Sequence, residues 1–193
     1  MRRRAVFMDR DGTVSDEVGY VNHIERYRLL PRSAEAVKKV NAAGFLAFVV
    51  TNQSGVARGL FDESLIHEVH ALLRKWLEEG GARLDGVYFC PHHPKEGSPP
   101  WRQDCDCRKP RPGLLQRAAR EHDVDLSGSY MIGDTVLDIE AARNAGATGI
   151  LVLTGYGKGD LIYRMEQRGL APAFVAADLL EAVDWILRRE GLA

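Results

Sequence analysis

Two aspartates two positions apart, Asp9 and Asp11, open the chemically informative part of this chain, in the run Asp9-Arg10-Asp11-Gly12-Thr13. Later come Thr51-Asn52-Gln53, then Lys109 within Arg108-Lys109-Pro110, then Gly133-Asp134. Carboxylates, a hydroxyl and a cation in this order suit magnesium-dependent phosphoryl transfer. Magnesium takes a few hard oxygen ligands and leaves room for a phosphate oxygen, and Asp9 and Asp134 supply such carboxylates. The ion offsets the repulsion between an anionic nucleophile and an anionic phosphate, so Asp9 can attack phosphorus and form an aspartyl-phosphate. Asp11 can protonate the departing alkoxide and later deprotonate the hydrolytic water. Thr51 can donate to the transferring phosphoryl oxygens, and Lys109 can neutralise the charge that spreads over them.

Each motif alone has an ordinary structural explanation. An Asp- and Gly-rich stretch makes turns, Gly133-Asp134-Thr135 is a natural helix start, and a loop lysine is usually solvated. Four in order, three of them at the end of an apolar run, point instead to one site.

The elements that must position these residues follow from hydrophobicity. Short apolar runs without alternation, at 5–8, 45–50, 87–89, 130–132, 149–153 and 173–175, suit parallel strands covered on both faces. Helical periodicity fills 33–43, 62–79, 112–122 and 135–145, and a last helix starts near Leu179 behind an approximate capping box, Asp178 and Glu181. Alternation of this kind predicts an α/β, doubly wound (Rossmann-like) parallel sheet. Ligands of such sheets bind beyond the carboxyl ends of the strands, and Asp9, Thr51 and Asp134 all fall there. At 193 residues the expectation is a single domain, 1–193.

The exception is 91–110, a proline-rich loop without periodicity, too long to stay ordered without support. All three cysteines lie at its ends, as Cys90-x-His92 and Cys105-x-Cys107. Three thiolates and an imidazole make a complete tetrahedral zinc set with no open position, hence a structural site. His92 and His93 compete for the fourth place. Zinc would fix the loop that presents Arg108 and Lys109. His67 and His70, in a helical stretch among Val69, Leu72 and Leu73, receive no role, and Trp76 and Trp185 read as packing residues.

The chain resembles the haloacid dehalogenase-type phosphatases across nearly its whole length. It is most similar to the small D-glycero-D-manno-heptose 1,7-bisphosphate 7-phosphatases and the related histidinol-phosphate phosphatases. Carrying the resemblance are Phe7-Met8-Asp9-Arg10-Asp11-Gly12-Thr13 with Gly19-Tyr20-Val21, Thr51-Asn52-Gln53-Ser54-Gly55, and Cys90-Pro91-His92 with Cys105-Asp106-Cys107-Arg108-Lys109-Pro110. The resemblance implies Asp9 as nucleophile and Asp11 as acid/base. It places magnesium on Asp9, Asp134 and the Asp11 backbone carbonyl, and zinc on His92 rather than His93. It implies substrate contacts from Glu17, Val18, Gly19 and Tyr20, from Thr51, Asn52, Gln53 and Ser54, and from Arg108 and Lys109. No large cap domain is expected, since the spaces after Asp11 and Thr51 are short. Many heptose bisphosphate phosphatases carry lysine after the last-motif aspartate; Thr135 stands there in this chain, which bears on substrate hold and anomer preference.

The expected function is removal of the 7-phosphate from D-glycero-D-manno-heptose 1,7-bisphosphate, a phosphoric monoester hydrolysis feeding surface-polysaccharide synthesis. Arg108 is the natural partner for the phosphate that is not cleaved. Histidinol phosphate is the alternative, with Glu17 as partner for its amine. A catalytically inactive zinc-stapled binding module would need one of the catalytic residues missing, and none is. A formal charge of −1 offers no polyanion surface, so nucleic acid is not an expected partner. Met1-Arg2-Arg3-Arg4 precedes too short an apolar run for export, so it reads as a solvated basic start, and no later run could span a bilayer. The expectation is a soluble, cytoplasmic monomer acting on a small phosphorylated sugar.

Overall fold

The computed structural model describes residues 2–192, so Met1, the first residue of the basic start, lies outside them. Six strands form one all-parallel sheet: β1 (Ala5–Met8), β2 (Leu46–Asn52), β3 (Gly86–Cys90), β4 (Tyr130–Gly133), β5 (Thr148–Val152) and β6 (Phe174–Ala176). Their order across the sheet is β3-β2-β1-β4-β5-β6, so the chain reverses its direction of travel between β1 and β4. Each strand lies within two residues of its apolar run. β1 and β4 are wholly buried, as unalternated hydrophobic strands should be when helices cover both faces.

The covering helices are α1 (Ser33–Ala42), α2 (Glu63–Glu79), α3 (Gly113–His122), α4 (Val136–Ala145), α5 (Gly157–Tyr163) and α6 (Leu179–Arg189). One core layer packs Val6, Met8 and Ile132 against α1, α2 and α6; the other packs Phe7, Phe48 and Met131 against α3 and α4. Trp76 stacks on Tyr27 and Trp185 on Phe174, both as packing residues. The α6 cap differs in detail from a capping box. Asp178 accepts from the Glu181 amide as expected, but the Glu181 carboxylate turns to the Ala177 amide. Among the described residues, no helix is long and apolar enough to cross a membrane.

Register fixes the site. Met8 pairs with Val49 on one side and Ile132 on the other. The Asp9 amide then donates to the Ile132 carbonyl at 2.9 Å. Residues just past β1, β2 and β4 therefore emerge together at the carboxyl edge, on either side of the reversal, where open α/β sheets bind ligands.

Candidate active site

Asp9 leaves β1 with one carboxylate oxygen tied down. Its Oδ1 accepts from the Arg10 amide at 2.7 Å and faces Lys109 Nζ at 2.9 Å. Oδ2 has no hydrogen-bond partner among the described residues, so it remains available. Asp134 is buried at the end of β4; its Oδ2 accepts from the Tyr156 amide at 2.8 Å. Two turns close over this carboxylate. A Cβ on Gly12 would sit 2.2 Å from Asp134 Oδ2, and one on Gly155 would sit 2.1 Å from it. Both glycines also hold positive φ, of 79° and 53°, so neither place admits a side chain.

Lys109 is buried and reaches three oxygens: Asp9 Oδ1, Asp138 Oδ1 at 2.6 Å and the Val50 carbonyl at 3.0 Å. Asp138 has no place among the sequence candidates. It lies one helical turn after Asp134, in the first turn of α4, where an acid reads as a favourable helix-start residue. There its Oδ2 accepts from the Thr135 amide and hydroxyl, at 3.0 and 2.6 Å. Thr135, the departure from the family's lysine, is thereby occupied as the cap of α4.

Carboxylate oxygens of Asp9, Asp134 and Asp138 all lie within 4.8 Å of one another. Burial, with Asp138 and Asp11 adding to it and Lys109 opposing, pushes Asp9 up to about 7. Burial and the neighbouring Asp9 and Asp138 push Asp134 up to about 9. Burial alone would lower Lys109, but Asp138 and Asp9 hold it above its ordinary value. Three carboxylates against one ammonium leave two negative charges uncompensated, which one divalent cation balances. A hard oxygen-lined set of this charge fits magnesium.

Asp11 lines the same cavity as Asp9 and is held by other partners. Its Oδ2 accepts from Gln53 Nε2 at 2.8 Å, and both its oxygens accept from Arg10. Gln53 also donates to Thr51 Oγ1 at 2.9 Å, which leaves the Thr51 hydroxyl proton free to donate elsewhere. These groups border a cavity of about 270 Å³ lined by Asp9, Asp11, Glu17, Gly19, Tyr20, Val21, 51–54, Arg108, Lys109, Thr135, Leu137 and Tyr156. Of the sequence candidates for substrate contact, Val18 alone is not on this lining. Its side chain packs on the core and its carbonyl accepts from Arg26. Tyr156 is on it without having been singled out. It follows Gly155 beyond β5, so the strand-end rule that located Asp9 and Asp134 would have found it.

The loop at 91–110 is gathered as its cysteines require. Cys90 Sγ lies 3.5 Å from Cys105 Sγ, which lies 3.2 Å from Cys107 Sγ. His92 Nδ1 is 3.8 Å from Cys90 Sγ and 3.4 Å from Cys107 Sγ. Tetrahedral zinc–thiolate bonding sets sulfurs about 3.8 Å apart, so this cluster closes on zinc with small adjustment. All three cysteines are free of disulfides. His93 is committed elsewhere: its Nδ1 accepts from the Lys95 and Glu96 amides. Arg108 Nη1 donates to the His92 carbonyl at 3.2 Å, joining the cysteine cluster directly to the cavity wall.

A three-layer α/β sheet with a carboxylate nucleophile candidate after β1, a lysine from a loop and an acid after β4 defines the haloacid dehalogenase-like hydrolases. Residues 106–182 match a family model described as HAD-hydrolase-like. A D-glycero-D-manno-heptose-1,7-bisphosphate 7-phosphatase of Thermosynechococcus vestitus is 43% identical over 190 residues, 96% of each chain. A D-glycero-beta-D-manno-heptose-1,7-bisphosphate 7-phosphatase of Pasteurella multocida is 43% identical over 79% of this chain and 83% of its own. The crystal structure of D,D-heptose 1,7-bisphosphate phosphatase from B. bronchiseptica, complexed with magnesium and phosphate, superposes with a TM-score of 0.84. It is 34% identical and covers 96% of this chain and 99% of that one. The chain belongs to the D,D-heptose 1,7-bisphosphate phosphatase family.

Proposed function

We propose that this chain is a magnesium-dependent phosphatase that converts D-glycero-D-manno-heptose 1,7-bisphosphate to the 1-phosphate, with 1–193 acting as one catalytic domain. The observation that carries the reading is the convergence of Asp9, Asp11, Lys109 and Asp134 beside a cavity with Arg108 on its wall. The relatives' shared activity supports the substrate.

Asp9 and Asp134, with the Asp11 carbonyl, would hold magnesium, which would supply charge compensation for the phosphate and the attacking carboxylate. The Asp9 carboxylate attacks the 7-phosphorus. The P–O bond to the sugar breaks, and Asp11 gives its proton to the departing O7. Asp11 then takes a proton from water as the water oxygen attacks the aspartyl-phosphate, which releases inorganic phosphate and restores Asp9. Thr51 and Lys109 donate to the phosphoryl oxygens during both displacements. Lys109 is already oriented by Asp138 and Val50, so little reorganisation accompanies the charge shift. At the mouth, Arg108 faces the 1-phosphate, and Glu17, Tyr20 and Tyr156 border the sugar. Cys90, His92, Cys105 and Cys107 would hold zinc, which would fix the His92 carbonyl that Arg108 donates to.

Phosphate release with magnesium tests the reading, comparing both anomers of the heptose bisphosphate with histidinol phosphate at matched concentrations. Preference for either heptose anomer is the expected result. Preference for histidinol phosphate would keep the chemistry and overturn the substrate, with Glu17 as the first residue to examine.

A further inference from the structure

Arg10 stands between the two candidate catalytic aspartates in sequence, yet its side chain turns inward and is 1% exposed. A buried guanidinium needs its charge matched and its donors filled. Nε donates to Asp11 Oδ1 at 3.0 Å and Nη2 to Asp11 Oδ2 at 2.8 Å, a two-pronged grip that fixes the plane of that carboxylate. Nη1 lies 3.3 Å from His70 Nε2 on α2. Guanidinium has only donors, so His70 accepts, which requires a neutral ring with its proton on Nδ1. The guanidinium also lies over the Tyr27 ring, 5.8 Å from its centre, and Tyr27 is itself stacked on Trp76 of α2. Neither Arg10 nor His70 lines the cavity.

We propose that Arg10 and His70 are positioning residues that hold Asp11 in the orientation its proton transfers require. The chain of contacts runs from α2 through His70 and Arg10 to Asp11, with Gln53 Nε2 on Oδ2 at 2.8 Å; the Ser15 hydroxyl gives its one proton to the Arg10 carbonyl at 3.1 Å, which leaves Asp11 Oδ1 a free lone pair for the proton it transfers. A carboxylate bonded this way cannot rotate about its last torsion without breaking two charge-assisted hydrogen bonds. Lysine at position 10 keeps the charge but offers a single point contact, so it cannot fix the plane. The inference rests on the phosphatase reading, because it concerns how Asp11 serves that reaction.

The test separates proton delivery from everything else the site does. Single-turnover release of the leaving group is measured for a sugar phosphate, whose alkoxide needs a proton, and for p-nitrophenyl phosphate, whose phenolate does not. Arg10→Lys is expected to slow alcohol release about 100-fold and nitrophenolate release less than about threefold. The steady-state KM for the sugar phosphate should stay within about threefold of wild type. His70→Leu, which removes the acceptor from Arg10, should slow alcohol release about tenfold, and His70→Gln, which restores an acceptor, should recover most of that loss. Equal losses on both leaving groups would overturn the positioning role, as would a His70→Leu enzyme as fast as wild type. If Arg10→Lys does not fold, the two His70 variants decide. A wild-type protein inactive on both phosphates would remove the phosphatase reading and this inference with it.

Discussion

The side-chain amide of Asn52, at the end of β2, clasps the backbone of Lys109: Oδ1 accepts from its amide at 3.0 Å and Nδ2 donates to its carbonyl at 3.1 Å. A lysine borne on a long loop is thereby given the positional precision of a strand. Arg108, one residue earlier, inherits that placement.

Asn52→Ala removes both bonds and leaves a partly buried amide and carbonyl unpaired. The expected cost is about 1–3 kcal/mol of stability, with kcat lowered about tenfold or more. Urea unfolding and steady-state kinetics on the same preparation check the two effects together.

Asp138→Asn keeps the shape of the side chain but leaves Asp9 as the one carboxylate facing Lys109, beside the neutral Val50 carbonyl. The lysine should then bind the nucleophile more tightly and serve the phosphoryl oxygens less well. A fall in kcat of about 100-fold is expected, with stability lowered by about 3–5 kcal/mol because a buried ion pair is broken and the new amide nitrogen meets the Lys109 or Thr135 donors; unchanged kcat would mean Asp138 has no part in preparing Lys109.

Asp9→Asn should abolish magnesium-dependent turnover while leaving the fold intact, since Oδ1, the oxygen engaged by Lys109 and the Arg10 amide, keeps its place. Acid-quench trapping of labelled phosphate provides the second readout: the wild-type chain acquires label and this variant does not.

Zinc removal should act on affinity. Stripping the metal with a strong chelator and restoring magnesium frees the cysteine cluster, and with it the His92 carbonyl that Arg108 holds. KM for the bisphosphate is expected to rise about tenfold. A verified zinc-free protein with unchanged kinetics would show that the cluster does not support the substrate wall.

His70 gives stability a pH signature. Burial, then the nearby Arg10, His67 and Arg74, pushes its imidazole down from 6.5 to about 3. In the unfolded chain the ring takes a proton near pH 6.5; in the folded chain it stays neutral down to about pH 3. Its contribution is therefore complete above about pH 6.5 and declines as pH falls through that window, by up to about 1.4 kcal/mol per pH unit. The stability gap between wild type and His70→Gln should shrink between pH 7.5 and 5 in urea titrations and stay constant above pH 7.5.

The strands were legible because all six are short apolar runs, and a run covered on both faces needs no finer signal. α5 was not, since Gly157-Lys158-Gly159-Asp160 shows no apolar stripe; its buried Asp160 serves instead by accepting from the Val136 amide of α4. Asp9, Asp11, Lys109 and Asp134 could be read from residue type and place along the chain. Asp138 and His70 could not, because an acid in a first helical turn and a histidine among leucines both have ordinary explanations. Only the third dimension shows that each meets a buried cation. Val18, which the resemblance places among the substrate contacts with Glu17, Gly19 and Tyr20, turns its side chain to the core.

Asp9 and Asp134 sit on adjacent strands, yet nearly two-thirds of the chain separates them in sequence. β1 can pair with β2 as soon as the first third of the protein exists, but its other edge must wait for β4. Until that late insertion, the carboxylates that would share a metal lie in different parts of an unfinished sheet. A stalled or truncated chain therefore has no partially working site, and catalytic turnover becomes a direct report that the sheet has closed around β1.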